Sequence, residues 1–161
     1  MLPHIGILVG DNIMIKKRNY VIASISALLF VVGYIIIKLF FSKVPTFSYT
    51  ADWAVNHYFL FVWVPAILLA IFSLPYTSLA LTIGCFVGIV LGDVIGQNII
   101  DNKWHEINQL INNGIEVSAE TLNRADYHNG VFIWLGTILI CAVIGLLADI
   151  LNKRRLRLNR N

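Results

Sequence analysis

Residues 78–100 read SLALTIGCFVGIVLGDVIGQNII, and this stretch decides the fold. It carries a single charged residue, Asp93. As a helix it reaches about 35 Å, enough to cross a hydrocarbon core of about 30 Å. Gly84, Gly88, Gly92 and Gly96 recur at every fourth position, and Ala80 extends the series by one step. Residues four apart share a helix face, so the series predicts a groove into which another helix settles backbone against backbone. Thr137, Cys141, Gly145 and Asp149 are also small or short and four apart, and offer a facing stripe within the chain. A second copy of the same helix would give a homodimer instead. The spacing leaves both open.

Three further apolar stretches flank this one. Residues 20–41 are uncharged apart from Lys38, whose ammonium can snorkel to the interface. Residues 53–74 have an apolar heart at 59–72, with Trp53, Tyr58 and Trp63 toward the start. Pro65 is expected to kink this segment and Pro75 to end it. Residues 130–151 carry Trp134 near one end and Asp149 near the other. The expected fold class is therefore all-α. It is a polytopic integral membrane protein with four transmembrane helices in one membrane domain spanning residues 1–161. The short connection at residues 75–77 makes the second and third spans antiparallel neighbours. Residues 1–12 are too short to span. They are expected to lie on the interface, to form a re-entrant piece, or to precede the true start.

Composition agrees with a membrane chain. Of 161 residues, 58% are apolar and 13% charged, and the mean hydropathy is +0.75. A soluble domain carries about 25% charged residues. This disfavours a soluble enzyme, a disordered tail and a secreted disulfide scaffold. Cys85 and Cys141 are isolated within apolar stretches and read as small buried residues. The net charge of +3 reads as a topology signal, with no nucleic acid implied. Lys16, Lys17, Arg18, Lys153, Arg154, Arg155, Arg157 and Arg160 put eight of the twelve basic residues at the two ends. The positive-inside rule then predicts both termini in the cytoplasm, in a bacterial-type inner membrane.

Two loops would face outside, at about 42–52 and 101–129. The second is acidic, with Asp101, Glu106, Glu116, Glu120 and Asp126 against Lys103 and Arg124. Ile100, Trp104, Ile107 and Ile111 keep helical spacing through its first part. Asn112, Asn113 and Gly114 predict an αL stop, and Ser118 predicts a cap for a short helix over 119–126. The expected result is an ordered extracytoplasmic helical cap.

Few residues offer chemistry. Asp93 is the sharpest candidate, because a carboxylate in hydrocarbon is expensive and is a functional hypothesis by default. With Gln97 and Asp101 on the same face, it could carry protons or bind a cation. Asp149 reads as an ion-pair partner of Lys153 at i+4. His57, His105 and His128, with Glu106, could form a metal site if the outer loops fold over the helix ends. No HExxH, paired CxxC, nucleotide-binding loop or GxSxG supports an enzyme, and no cofactor is expected. The leading expectation is an accessory or interaction subunit, packed through the glycine groove and paired with another membrane subunit or with itself. The second is a homo-oligomeric transporter or ion-conducting protein built on Asp93. The third, a metal-dependent membrane enzyme, has the least support.

Overall fold

The computed structural model describes residues 4–40, 43 and 49–158, with side chains from Lys16 onward except those of 156 and 157. Expectations for residues 1–3, for most of the loop at 41–48 and for Arg160 lie outside these bounds. The described elements are all helical: α1 (His4–Leu39), α2 (Tyr49–Asn56), a short turn (Tyr58–Phe61), α3 (Trp63–Ile71), α4 (Pro75–Asn112), α5 (Ala119–Ala125) and α6 (Gly130–Leu158). Three stretches are long and apolar enough to cross a membrane: 16–39, 75–112 and 130–155. The bent pair formed by α2 and the segment through α3 makes a fourth if it crosses as one.

Two sequence expectations need correction. From His4 onward the N-terminal stretch is continuous with α1, and forms no separate re-entrant piece. The second apolar segment is not a single helix kinked at Pro65. It breaks between Asn56 and Trp63, and its halves meet at 61°. Tyr58, Phe59, Leu60 and Phe61 all have φ between 49° and 57°. Left-handed backbone costs roughly 1–2 kcal/mol per residue with a side chain. Aromatic packing offsets that cost: Phe59 is buried, with its ring centroid 6.0 Å from Phe30, 6.0 Å from Tyr34 and 5.8 Å from Phe86. Pro65 lies in the first turn of α3, where an amide has no intrahelical acceptor to lose. Pro75 likewise opens α4 rather than closing the element before it.

Helices α4 and α6 form the backbone of the molecule. They run antiparallel, and the glycine face of α4 lies on α6. A Cβ at Gly84 would fall 2.6 Å from Cys141 Cβ, and one at Gly88 would fall 2.9 Å from the Trp134 ring. At Gly92 it would fall 2.5 Å from the Gly130 carbonyl oxygen. From the other side, a Cβ at Gly145 would meet the Thr77 backbone at 2.7 Å and Ala80 Cβ at 2.8 Å. Trp134 is fully buried between the helices, and its indole N–H donates to the Cys85 carbonyl at 2.9 Å. Helix α1 packs on the opposite flank, through Phe30 and Ile37 and a 3.2 Å Ser26–Ser78 hydroxyl pair.

The segment from residue 101 to residue 129 follows the sequence closely. α4 has 38 residues, about 57 Å, and so extends three turns beyond residue 100. It closes at Gly114, with φ of 75°, where the Ile115 amide donates back to the Leu110 carbonyl at 3.0 Å. Ser118 Oγ accepts from the Thr121 amide at 3.2 Å and caps α5. Trp104 Nε1 to Asp126 (3.0 Å) and Lys103 Nζ to the Arg124 carbonyl (3.3 Å) hold α5 and the residues after it against α4.

A branched side chain where a backbone carbonyl would stand 2.5 Å from the Cβ has nowhere to go. Gly92→Leu is expected to destabilise the protein by roughly 3 kcal/mol, read as thermal unfolding in detergent. Gly136→Leu, at an α6 glycine with nothing within 4 Å, should leave unfolding unchanged. Equal behaviour of the two variants would refute the role given to the glycine face.

Candidate functional site

The end of the α4–α6 contact at Gly92, Gly96 and Gly130 gathers the residues with the most chemical potential. Close approach of Gly92 and Gly96 to the start of α6 brings His128, Gly130 and α2 onto one face of α4. Asp93 sits at the centre and is 1% exposed. Its carboxylate accepts from the Thr50 amide at 2.6 Å and from the Ala51 amide at 3.3 Å. These are among the first amides of α2, which have no acceptor within their own helix. Asp93 therefore caps α2 from another helix, and its charge faces the positive end of the α2 dipole.

His128 completes the junction. Its ring stacks on Tyr49 with centroids 4.1 Å apart, and its Nδ1 accepts from the Gly130 amide at 3.0 Å, capping the start of α6. Burial lowers the pKa of His128 below the ordinary histidine value, and the Asp93 charge partly opposes the shift. The neutral ring, with its proton on Nε2, is the form that keeps the Gly130 bond.

Asp149 repeats the device at the other end. It is 2% exposed. It accepts from the amides of Tyr76 (3.3 Å) and Thr77 (2.8 Å) and from the Thr77 hydroxyl (2.7 Å). It thus caps α4, and the expected pair with Lys153 does not form among the described residues. The reason is geometric. Asp149 lies on the α4-facing stripe, while Lys153 is exposed.

The other sequence candidates do not converge. Gln97 Nε2 donates to Asp101 at 2.9 Å, and Asp101 is exposed, so these two pair with each other while Asp93 is held by α2. His57 stacks on Trp53 at 3.8 Å and donates from Nδ1 to the Trp53 carbonyl at 2.7 Å. His105 Nε2 accepts from Gln109 at 2.9 Å. Glu106 is exposed. His57, His105, His128 and Glu106 are not brought together, and among the described residues no group of three His, Cys, Asp or Glu side chains is arranged to hold a metal. Cys85 and Cys141 are free thiols at the α4–α6 contact. Thr50, Ala51 and Thr77, the partners of the two aspartates, carry no sequence signal, because a cap given by another helix has no fixed spacing along the chain. No protein-family model, no curated protein and no solved structure matches this chain.

Two outcomes follow from the caps. Asp93→Ala leaves two buried amides without acceptors and should cost about 1.5–3 kcal/mol. Hydrogen exchange should rise at Thr50 and Ala51, and unchanged exchange there would contradict the capping role. His128 titrates lower in the folded chain than in the unfolded one, so the unfolded state binds more protons as pH falls. Stability should be level above about pH 7 and decline as pH drops through about 6.5. His128→Asn, which keeps an acceptor for Gly130, should flatten that slope in unfolding measured from pH 8 to 5.

Proposed function

We propose that this protein is a non-catalytic accessory subunit of a membrane complex, with four spans, both termini in the cytoplasm and a partner that binds its outer segment. The bent segment through α2 and α3 serves as the second span in this reading. The basic residues at both ends support the orientation, in a bacterial-type inner membrane.

One observation carries the assignment of role. Leu110, Ile111 and Ile115 are exposed, at 39%, 50% and 52%. With the span ending near residue 100, Leu110 and Ile111 sit about 15 Å or more beyond it along α4, and Ile115 follows the turn that closes the helix. Lipid covers apolar side chains within the bilayer, but these three lie above it. Glu106 and Glu116 are close to them in sequence, and both are exposed. An apolar patch with acidic neighbours fits a protein partner presenting apolar residues bordered by lysine or arginine. The buried carboxylates lend little to an enzyme or a carrier, because Asp93 and Asp149 are already engaged as helix caps. A homo-oligomeric conductor using Asp93 is the second reading, and it requires that carboxylate to leave α2.

The test is purification from native membranes after gentle extraction, followed by native mass spectrometry. The expected species is a heteromeric complex of fixed ratio. Ile111→Glu with Ile115→Glu should abolish it without changing the unfolding temperature. A homo-oligomer with a bound ion, or a complex indifferent to both substitutions, would overturn the proposal. Orientation is checked separately by labelling. Glu116→Cys should react from outside and Arg157→Cys only after the membrane is opened, and the reverse pattern would invert the topology.

A further inference from the structure

Helix α1 meets the bundle through one stripe and leaves another uncovered. Asn19, Ala23, Ser26 and Phe30 are buried, with Asn19 Nδ2 donating to the Ser73 hydroxyl at 3.1 Å and Ser26 paired with Ser78. The outward stripe is exposed and forms a shallow groove lined by Lys16, Lys17, Tyr20, Val21, Ser24 and Ile25. Residues four apart share a helix face. Lys16, Tyr20 and Ser24 therefore make one row, and Lys17, Val21 and Ile25 the row beside it. Read inward from the end of the helix, the groove offers two ammoniums, then two hydroxyls, with apolar side chains alongside.

These polar groups are free. Lys16 and Lys17 have no ion-pair or hydrogen-bond partner among the described residues, and neither do the Tyr20 and Ser24 hydroxyls. The stretch apolar enough to cross a membrane begins at Lys16, so both ammoniums stand at headgroup level. Ser24 lies about 12 Å further in along the helix. A hydroxyl facing hydrocarbon is costly unless an acceptor reaches it, and lipid ester oxygens supply one at that depth. The rest of this end repels cations and draws anions. Asn19 ties the start of α1 to the turn before α4, and Asp149 ties the start of α4 to the last helix. Exposed Lys153, Arg154 and Arg155 therefore share the end of the bundle with Lys16 and Lys17. Among the described side chains, Asp149 is the only carboxylate there, and the Thr77 cap engages it.

We propose that the outward groove of α1 binds one anionic phospholipid. Its phosphate lies between the Lys16 and Lys17 ammoniums, its ester oxygens accept from the Tyr20 and Ser24 hydroxyls, and an acyl chain runs along Val21 and Ile25. The site rests on the placement of α1 in a membrane. It is independent of the accessory-subunit reading and of which side faces the cytoplasm.

The experiment is native mass spectrometry of the whole protein in a neutral detergent, titrated with phosphatidylglycerol or with phosphatidylcholine of identical chains. The first phosphatidylglycerol should be retained roughly 25-fold better than phosphatidylcholine, about five-fold for each lysine. Lys16→Gln with Lys17→Gln, both at exposed positions, should bring the two lipids level, whereas Lys16→Arg with Lys17→Arg should keep the preference. Tyr20→Phe with Ser24→Ala should lower retention of both lipids and leave their ratio alone, and unchanged retention would refute the place given to the ester oxygens. Equal retention of the two lipids by the unaltered protein would overturn the site, as would a preference that survives the glutamine pair. A preference kept in that pair but lost on Lys153→Gln with Arg154→Gln and Arg155→Gln would move the anionic lipid to α6 and overturn it equally.

Discussion

The rest of the structure depends on how closely α4 and α6 approach. Within a bilayer, burying apolar surface between helices gains little, since lipid chains are as apolar as leucine. Cohesion must come from dense packing and from hydrogen bonds in a medium without water. Glycines at 84, 88, 92 and 96 let the α4 backbone reach α6, and Gly145 returns the favour near the opposite end. The approach at Gly92 and Gly130 positions Thr50 and His128 beside Asp93, so the polar junction is a product of the packing. Trp134 lies sealed in the same contact, its N–H satisfied by a carbonyl whose helix it faces.

The buried aspartates then acquire a shared meaning. Each is a carboxylate in a place where charge is costly, and each is matched to the exposed amides at the start of a different helix. Two problems of membrane burial, an unpaired charge and an uncapped helix, solve one another. This explains how such a chain can hold two buried carboxylates within its apolar helices.

Much of the architecture is legible in the chain because the bilayer imposes strict length and polarity requirements. Four apolar stretches, the glycine face, the αL stop at Gly114 and the Ser118 cap all follow from local rules. The break at Tyr58–Phe61 does not. Its residues, Tyr, Phe, Leu and Phe, lack any glycine, and the nearby proline points to a kink six residues too late. Only the tertiary fit of Phe59 among Phe30, Tyr34 and Phe86 makes that backbone tolerable. The candidate site is half legible. Asp93 stands out from its surroundings in hydrocarbon, but its partners come from the position of the α2 start, which nothing near Asp93 announces. The grouping of His57, His105 and His128 fails for the same reason, since shared sidedness does not bring residues within reach of each other.

The caps also bear on how the protein is made. A chain emerges from the ribosome N-terminus first. Asp93 follows Thr50 by 43 residues, and Asp149 follows Thr77 by 72. Both carboxylates therefore reach back to complete helices synthesised well before them. When α4 enters the membrane, its first amides must be satisfied by water or headgroups until α6 arrives. Insertion cannot proceed as a series of finished helices added one by one. Helix α6 closes the start of α4, and a nascent chain stopped short of Asp149 is left with the Tyr76 and Thr77 amides open.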